Sequence, residues 1–174
     1  YKDSGVEWLG EVPAGWEVIR LKYAVRLVNE RGTGEHPDSN YIGLENIESW
    51  SGRLIAGESS IDPEGQSGCF RSGDVLFGKL RPYLAKAYKA TAGGICSTEI
   101  LVLRPKLVNQ DYLFYYLLNS EFIKTVNSST YGTKMPRANW EYIGNLPIPK
   151  IPVGEQHTIA AFLDRETARL DALI

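Results

Sequence analysis

One segment, residues 73–105 (GDVLFGKLRPYLAKAYKATAGGICSTEILVLRP), constrains the fold of this chain more than any other. It contains two apolar runs of strand type, at residues 74–80 and 84–90, and a third run at residues 100–103. Turn-type residues separate the first two runs, which are therefore expected to pair as adjacent strands. The sequence predicts an α+β fold with a twisted, hairpin-rich mixed β-sheet and packed helices.

The bend between the first two runs is basic and aromatic. Gly78 allows the chain to turn and Pro82 fixes its own φ, so the bend is expected to be rigid and to project Lys79, Arg81, Tyr83 and, shortly after, Lys86. Residues 73–105 contain five Lys or Arg and two Asp or Glu, whereas the whole chain has a net charge of −2. Such local positive charge indicates contact with a nucleic acid. The alternative is an ordinary solvated hairpin with surface cations.

A second candidate contact segment lies at residues 131–139, YGTKMPRAN. It combines a glycine, two cations and two neutral hydrogen-bonding side chains: Gly132, Lys134, Arg137, Thr133 and Asn139. Cations suit phosphate, and asparagine can pair bidentately with adenine. The alternative is a capped turn leading into a helix, in which Asn139 or Thr133 satisfies backbone donors. We favour DNA contact for Thr133 and Lys134 and leave Asn139 open.

The rest of the chain alternates between strand-type and helix-type patterns. Strands are predicted at residues 16–21, 41–47 and 146–149, with a polar, turn-rich loop at residues 29–40. Helices are predicted at residues 111–118, opening on Asp111 as the N-cap, at residues 120–126, and over a short stretch within residues 137–144.

From Val153 the pattern is helical, directly after Pro149 and Pro152. Residues recur at spacings of three and four, which predicts a coiled-coil seam with polar interruptions: Gln156, Ile159, Leu163, Glu166, Leu170 and Leu173. We therefore predict two parts, a domain at residues 1–150 and a projecting helix at residues 151–174, with an interface formed by Ile159, Leu163, Leu170 and Leu173. The alternative is an amphipathic helix packed on its own domain.

Three stretches of the chain resemble the specificity (S) subunits of bacterial type I restriction-modification enzymes. GDVLFGKLRPYLAKA followed by GICSTEILVLRP is similar to a signature of their target recognition domain. Residues 1–23 (YKDSGVEWLGEVPAGWEVIRLKY) resemble the usual start of such subunits. Residues 132–164 resemble the passage into their conserved helix, including the EQxxIxxFLD pattern.

The resemblance implies a subunit that reads one half of a bipartite double-stranded DNA target and docks methyltransferase (modification) subunits. The restriction subunit would join the full complex, and S-adenosylmethionine, ATP and Mg²⁺ would bind to partner subunits only. The C-terminal helix would pair with a second recognition domain or with another copy of the chain. Such subunits usually contain two recognition domains and two conserved helices, whereas this chain has the length for one of each.

Catalytic motifs are scarce in the sequence. It contains neither an Asn/Asp-Pro-Pro-Tyr/Phe motif for amino methylation nor a GxxxxGK[ST] phosphate loop. Two carboxylate groups, Asp62 with Glu64 and Asp74 with Glu99, are candidates for a metal nuclease but lack a Glu-x-Lys companion. Ser97 and Ser128 could act as nucleophiles only if His36 or His157 reached them. We predict a non-catalytic protein; the alternatives are a nuclease or DNA-modifying enzyme, and a binding module for RNA or an acidic protein.

Composition restricts the compartment and the cofactors. Cys69 and Cys96 have no CxxC spacing, so we expect two buried thiols in a reducing compartment, with no disulfide and no metal. No apolar run reaches the roughly 20 residues that cross a bilayer, and no secretory leader is evident. The sequence therefore predicts a soluble, cytoplasmic protein without a membrane partner.

Overall fold

The computed structural model describes residues 1–32, 41–56 and 67–174. Within these ranges the chain has an α+β fold with twelve short strands: β1 (Lys2–Asp3), β2 (Glu11–Val12), β3 (Glu17–Arg20), β4 (Val25–Leu27), β5 (Arg31–Gly32), β6 (Tyr41–Ile42), β7 (Ser67–Phe70), β8 (Val75–Gly78), β9 (Ala87–Lys89), β10 (Gly94–Cys96), β11 (Ile100–Pro105) and β12 (Pro147–Lys150). The helices are α1 (Leu21–Ala24), α2 (Gln110–Leu117), α3 (Ser120–Ser128), α4 (Trp140–Ile143) and α5 (Val153–Asp171).

The central sheet has the strand order β4-β11-β8-β9, and all its pairs are antiparallel. The predicted pairing of the first two apolar runs is confirmed, because β8 pairs with β9 with Phe77 opposite Ala87. The second strand is shorter than the predicted residues 84–90, since Pro82–Leu84 form a 3-10 turn and β9 starts at Ala87. The third run forms β11, which lies beside β8 with Leu103 opposite Val75. The basic bend between the first two runs lies at one end of this sheet.

Both faces of the central sheet are buried, which explains the uninterrupted apolar run in β11. Leu101 and Leu103 belong to a core shared with α2 and α3. Ile100 and Val102 point to the other face and belong to a second core, with residues of β6, β7 and β10. Because side chains alternate along a strand, a strand covered on both sides must be apolar at every position.

The second sheet covers this other face and has the order β5-β7-β10-β6. The sequence pattern does not indicate β5, β7 or β10. It predicts one strand over residues 41–47, but the strand ends at Ile42 and a single 3-10 turn, Leu44–Asn46, follows. The predicted loop at residues 29–40 is wrong for Arg31–Gly32, which form β5, and its residues 33–40 lie outside the described residues.

The predicted pair of buried helices is confirmed as α2 and α3, although the N-cap of α2 differs. Asn109 caps α2, since its side-chain oxygen accepts a hydrogen bond from the Tyr112 N–H at 2.7 Å. Asp111 lies in the first turn and pairs with Lys89 at 2.9 Å. A carboxylate in the first turn still favours the helix through its dipole.

The first half of α5 packs on the domain, so the helix does not project freely from its start. Gln156 is 1% exposed and was wrongly predicted to interrupt a coiled-coil seam. Its side-chain oxygen accepts a hydrogen bond from the Asn109 N–H at 2.7 Å, and its amide donates to the Ile151 carbonyl at 2.9 Å. Ile159 packs against the core. For this half of α5, the alternative of a helix packed on its own domain is correct.

The apolar stripe of α5 becomes exposed toward its end. Leu163 is half-buried and Leu170 is 62% exposed. Leu173, predicted to continue the stripe, lies beyond the end of the helix at Asp171 and is 78% exposed. Asp171 forms an exposed ion pair with Arg53 at 2.8 Å, so the end of α5 still lies near the domain. The division at residue 150 stays a prediction.

The two cysteines differ in environment. Cys96 is buried, and burial raises the pKa of its thiol from 9.0 to about 12. Cys69 is only half-buried, contrary to the prediction that both cysteines are buried. No helix within the described ranges is long and apolar enough to cross a membrane.

Candidate nucleic-acid interface

The basic turn, defined here as residues 79–86, connects β8 to β9 through a 3-10 turn at Pro82–Leu84. Arg81 and Ala85 flank this 3-10 turn, and both have left-handed backbone conformations, with φ of 49° and 48°. Such conformations are uncommon in residues other than glycine and often mark functional segments. Gly78 was predicted to open the turn, but it lies within β8. A Cβ at Gly78 would meet Leu44 Cδ2 at 2.7 Å, so a larger residue here would have to displace the Leu44 side chain.

The second loop, defined here as residues 131–139, lies directly beside the basic turn. The Ala138 N–H donates to the Lys79 carbonyl at 2.9 Å, and the Arg81 N–H donates to the Pro136 carbonyl at 2.7 Å. The Arg81 guanidinium also donates to the Lys134 carbonyl at 3.3 Å. Two segments that are distant in sequence therefore form one continuous surface.

The second loop is closed at its base by Tyr131 and Arg137. Their backbones exchange two hydrogen bonds, of 3.1 and 3.0 Å. Gly132 follows with a φ of 91°, a conformation that favours glycine over other residues. Thr133 and Lys134 are exposed at the tip of the loop. The loop thus presents these two side chains from a closed backbone ring.

Five of the predicted contact residues have side chains on this surface that can still bind an anion or a base. The side chains of Lys79, Tyr83, Thr133 and Lys134 make no hydrogen bond or ion pair with any residue in the described ranges. Arg81 donates only to a neutral carbonyl, and the Tyr83 ring is 48% exposed. Three cations without a carboxylate partner among the described residues produce a local positive potential that attracts anions.

The other three predicted contact residues are bonded within the chain. The Lys86 ammonium donates to the Leu44 carbonyl at 2.7 Å. Asn139 accepts a hydrogen bond from the Tyr142 N–H at 2.9 Å and caps α4, which is the capped turn considered as an alternative. The guanidinium of Arg137 pairs with Glu99 at 2.7 Å, and these hydrogen bonds raise the pKa of Arg137 above its usual value. DNA contact by these three residues stays a prediction that the geometry does not favour.

The remaining charges of residues 73–105 are paired inside the fold. Asp74 is 1% exposed and forms a bidentate pair with Arg104, with distances of 2.8 and 3.0 Å. Lys89 pairs with Asp111. The positive charge of the segment is therefore concentrated at the basic turn, rather than spread along it as its composition alone indicated.

The carboxylates proposed for a metal nuclease do not form a shared site in the described part of the chain. Asp74 is bonded to Arg104 and Glu99 to Arg137, so each carboxylate has its own arginine. Asp62, Glu64 and His36 lie outside the described residues. The ring of His157 contacts the Asn109 side chain at 3.5 Å, and the Ser128 hydroxyl donates to the Thr125 carbonyl, so these two groups do not pair.

Two residues of this surface, Glu99 and Tyr131, were not among the predicted contact residues, although Tyr131 begins the candidate segment at residues 131–139. Glu99 was considered as a charge and, with Asp74, as a nuclease carboxylate, although its backbone carbonyl accepts a hydrogen bond from the Lys79 N–H at 3.0 Å. Tyr131 is 58% exposed at the base of the second loop. An aromatic residue directly before a Gly-Thr-Lys run was the available signal for Tyr131. The sequence has no comparable signal for Glu99, because its partner Arg137 is far along the chain.

The fold and this surface define a member of a known class of proteins. The chain belongs to the family of type I restriction modification DNA specificity domains, whose family model matches residues 59–173. The resemblance stated from the motifs is therefore confirmed.

Individual relatives agree with this assignment. The chain is 25% identical over 169 residues to the type I restriction enzyme EcoDI specificity subunit of Escherichia coli, covering 95% of the chain and 38% of that subunit. It is 26% identical, with a TM-score of 0.76, to the HsdS subunit from Thermoanaerobacter tengcongensis, covering 94% of the chain and 44% of that subunit. A chain from a structural study of the assembly of the type I R-M system gives a TM-score of 0.77 at 26% identity, with 94% and 45% covered.

A more distant structure, the S subunit from M. genitalium, is 16% identical with a TM-score of 0.59 and shows the shared fold alone. The chain spans less than half the length of each of these relatives.

Proposed function

We propose that this chain is the target recognition domain of a type I restriction-modification specificity subunit and reads one half of a bipartite double-stranded DNA target. The main support is the junction of the basic turn and the second loop. Lys79, Arg81 and Lys134 lie on one surface of a chain whose net charge is −2, and no described carboxylate neutralises them. Membership of the DNA specificity domain family agrees with this interpretation.

The basic turn and the second loop are suited to different parts of DNA recognition. Lys79 and Arg81 follow a rigid strand end, so they can contact phosphates and fix the orientation of the domain on DNA. Thr133 and Lys134 lie at the exposed tip of a narrow loop, which can enter the major groove and reach base edges. Tyr83 can stack on a base or donate a hydrogen bond to a phosphate.

In this proposal the chain recognises DNA and catalyses no reaction. Methyl transfer from S-adenosylmethionine would take place on modification subunits that dock on the specificity subunit, and ATP-driven steps with Mg²⁺ would take place on the restriction subunit. The paired state of Asp74 and Glu99 supports this division, because neither carboxylate is available for a metal.

The second half of α5 would be the assembly element. Leu170, in the last turn of α5, and Leu173, just after the helix ends at Asp171, are both exposed. This stripe can pair with the conserved helix of a second recognition domain, or with another copy of the chain, and so hold two reading surfaces at a fixed separation. Residues 1–150 would be the recognition domain, and residues 151–174 the start of this spacer.

Replacing both Lys79 and Arg81 with alanine is expected to weaken DNA binding without unfolding the domain. If both side chains contact phosphate, affinity should fall to a similar extent for every sequence, and the slope of log affinity against log salt should flatten by about 2. If one of them contacts a base, discrimination at one position should decrease, by about 1–3 kcal/mol. Binding is measured at several salt concentrations, with duplex DNA and the modification subunits present.

A double variant of Lys150 and Arg20 is the matched control. It removes the same charge from the β3–β12 pair, where Lys150 bonds Glu17 and Arg20 bonds Asn145. This control should bind DNA almost as the wild type does. Equal affinity for the Lys79/Arg81 variant and the wild type at low salt would contradict the proposed surface.

Exchanging residues 132–139 for the loop of a relative with another target is expected to change the methylated sequence. The reason is that the tip of this loop presents Thr133 and Lys134, whereas Arg137 and Asn139 form its internal support. Methylome sequencing of a host with the native or the exchanged gene measures the outcome. An unchanged motif with full methylation would show that the second loop is not a reader.

A further inference from the structure

Glu99 contacts both the basic turn and the second loop, which form the proposed reading surface, although it belongs to neither. Its carboxylate accepts three hydrogen bonds from the Arg137 guanidinium, at 3.0, 3.0 and 2.7 Å. Its backbone carbonyl accepts a hydrogen bond from the Lys79 N–H at 3.0 Å. Its own N–H donates to the Ser97 hydroxyl at 3.1 Å. Glu99 therefore connects the start of the basic turn with the base of the second loop.

Arg137 connects Glu99 to the second loop. The backbone of Arg137 closes this loop through two hydrogen bonds with Tyr131, and it also forms a β-bridge with Leu80 of the basic turn. The guanidinium is held by a bidentate pair, which fixes its orientation as well as its distance. A shift of Arg137 would move both ends of the segment that contains Thr133 and Lys134.

We infer that Glu99 is a positioning residue for target discrimination. Through Arg137 it sets the location of the second loop relative to the basic turn, so base readout at the loop tip depends on a side chain that touches no DNA. Both carboxylate oxygens are already occupied by Arg137. This inference rests on the proposed function, and it adds a residue that determines specificity rather than affinity.

The test is Glu99→Gln in the native gene, with genomic DNA of the host as the substrate. Glutamine replaces one acceptor oxygen with a donor, so the bidentate pair with Arg137 is lost while size is preserved. Methylation is expected to extend to sites that differ from the target by one base pair, and the ratio of target to near-target methylation should fall about tenfold. Overall affinity and its salt dependence should remain close to wild type, because no phosphate contact is removed.

Two further variants distinguish positioning from direct DNA contact. Arg137→Gln should lose discrimination to the same extent as Glu99→Gln. The exchanged pair, Glu99→Arg with Arg137→Glu, should restore part of the discrimination, because the ion pair forms again with reversed charges. The pair is partly exposed, with 36% and 26% of its two side chains accessible, so both single variants should fold.

The outcomes separate this inference from the proposed function. Absence of any methylated motif in cells with the wild-type gene and its modification subunits would refute the proposed function itself. An unchanged methylation ratio in Glu99→Gln would overturn only the positioning role. The positioning role would also fail if Arg137→Gln lowered methylation equally at all sites and flattened the salt slope of duplex binding by about 1, since Arg137 would then be a phosphate contact.

Discussion

Replacing Asp74 with alanine is expected to lower the free energy of unfolding by about 3 kcal/mol, the low end of the range for a broken buried ion pair. Asp74 is 1% exposed, and its carboxylate accepts two hydrogen bonds from Arg104 and one from the Arg71 N–H at 2.8 Å. Alanine at position 74 leaves the Arg104 guanidinium without its main partner, and the Arg104 side chain is only 20% exposed. Glu30 lies 4.0 Å away and compensates in part, which limits the loss.

Thermal unfolding of the purified chain measures this effect, and a decrease of about 10 °C in the midpoint is expected for a chain of this size. Asp111→Ala is the matched control, because Asp111 also pairs with a cation but is 46% exposed. Exposed pairs contribute about 0–1 kcal/mol, so the control should unfold close to the wild-type temperature. Similar midpoints for Asp74→Ala and Asp111→Ala would contradict a stabilising role for the buried pair.

The same pair illustrates what composition can and cannot predict. Counting charges in residues 73–105 correctly located a basic region, but it treated Arg104 and Arg81 as equivalent. Arg104 lies in β11 and pairs internally, whereas Arg81 lies in the turn without a carboxylate partner among the described residues. The partner of each charge depends on strand register, which the charge pattern does not encode.

The predicted strands succeeded where local pattern and tertiary burial agree. The apolar runs of β8 and β11 are long enough to indicate strands, and both are covered on two faces. β7 and β10 have the sequences SGCF and GIC, and each contains a glycine that weakens the pattern. These strands form because the second apolar face of the central sheet must be buried, and this depends on tertiary packing rather than on local sequence.

The helix α5 shows how one periodic pattern can serve two surfaces. Gln156 and Leu170 belong to the same predicted stripe, yet Gln156 is buried in the domain and Leu170 is exposed. A spacing of three and four residues indicates that one face of a helix is covered. It contains no information on whether the cover comes from the same chain.

Replacing both Leu170 and Leu173 with aspartate is expected to abolish assembly through α5 and to leave the thermal midpoint of the domain almost unchanged. Both side chains are largely exposed, so their loss removes little burial within the chain. Introducing two charges into an apolar helix pair leaves those charges desolvated and unpaired, which helix association does not tolerate. Sedimentation of the chain alone, and co-purification with the modification subunits, measure the assembly.

Ile159→Asp is the matched comparison on the same helix. Ile159 packs against the main core beside the buried Gln156, so aspartate at this position should destabilise the domain itself. The two variants thus separate the halves of α5: the first supports the fold, and the second is available to a partner. If the Leu170/Leu173 variant instead unfolded at a much lower temperature, the second half would also be part of the core. The proposed pairing of two recognition domains would then have to use another surface.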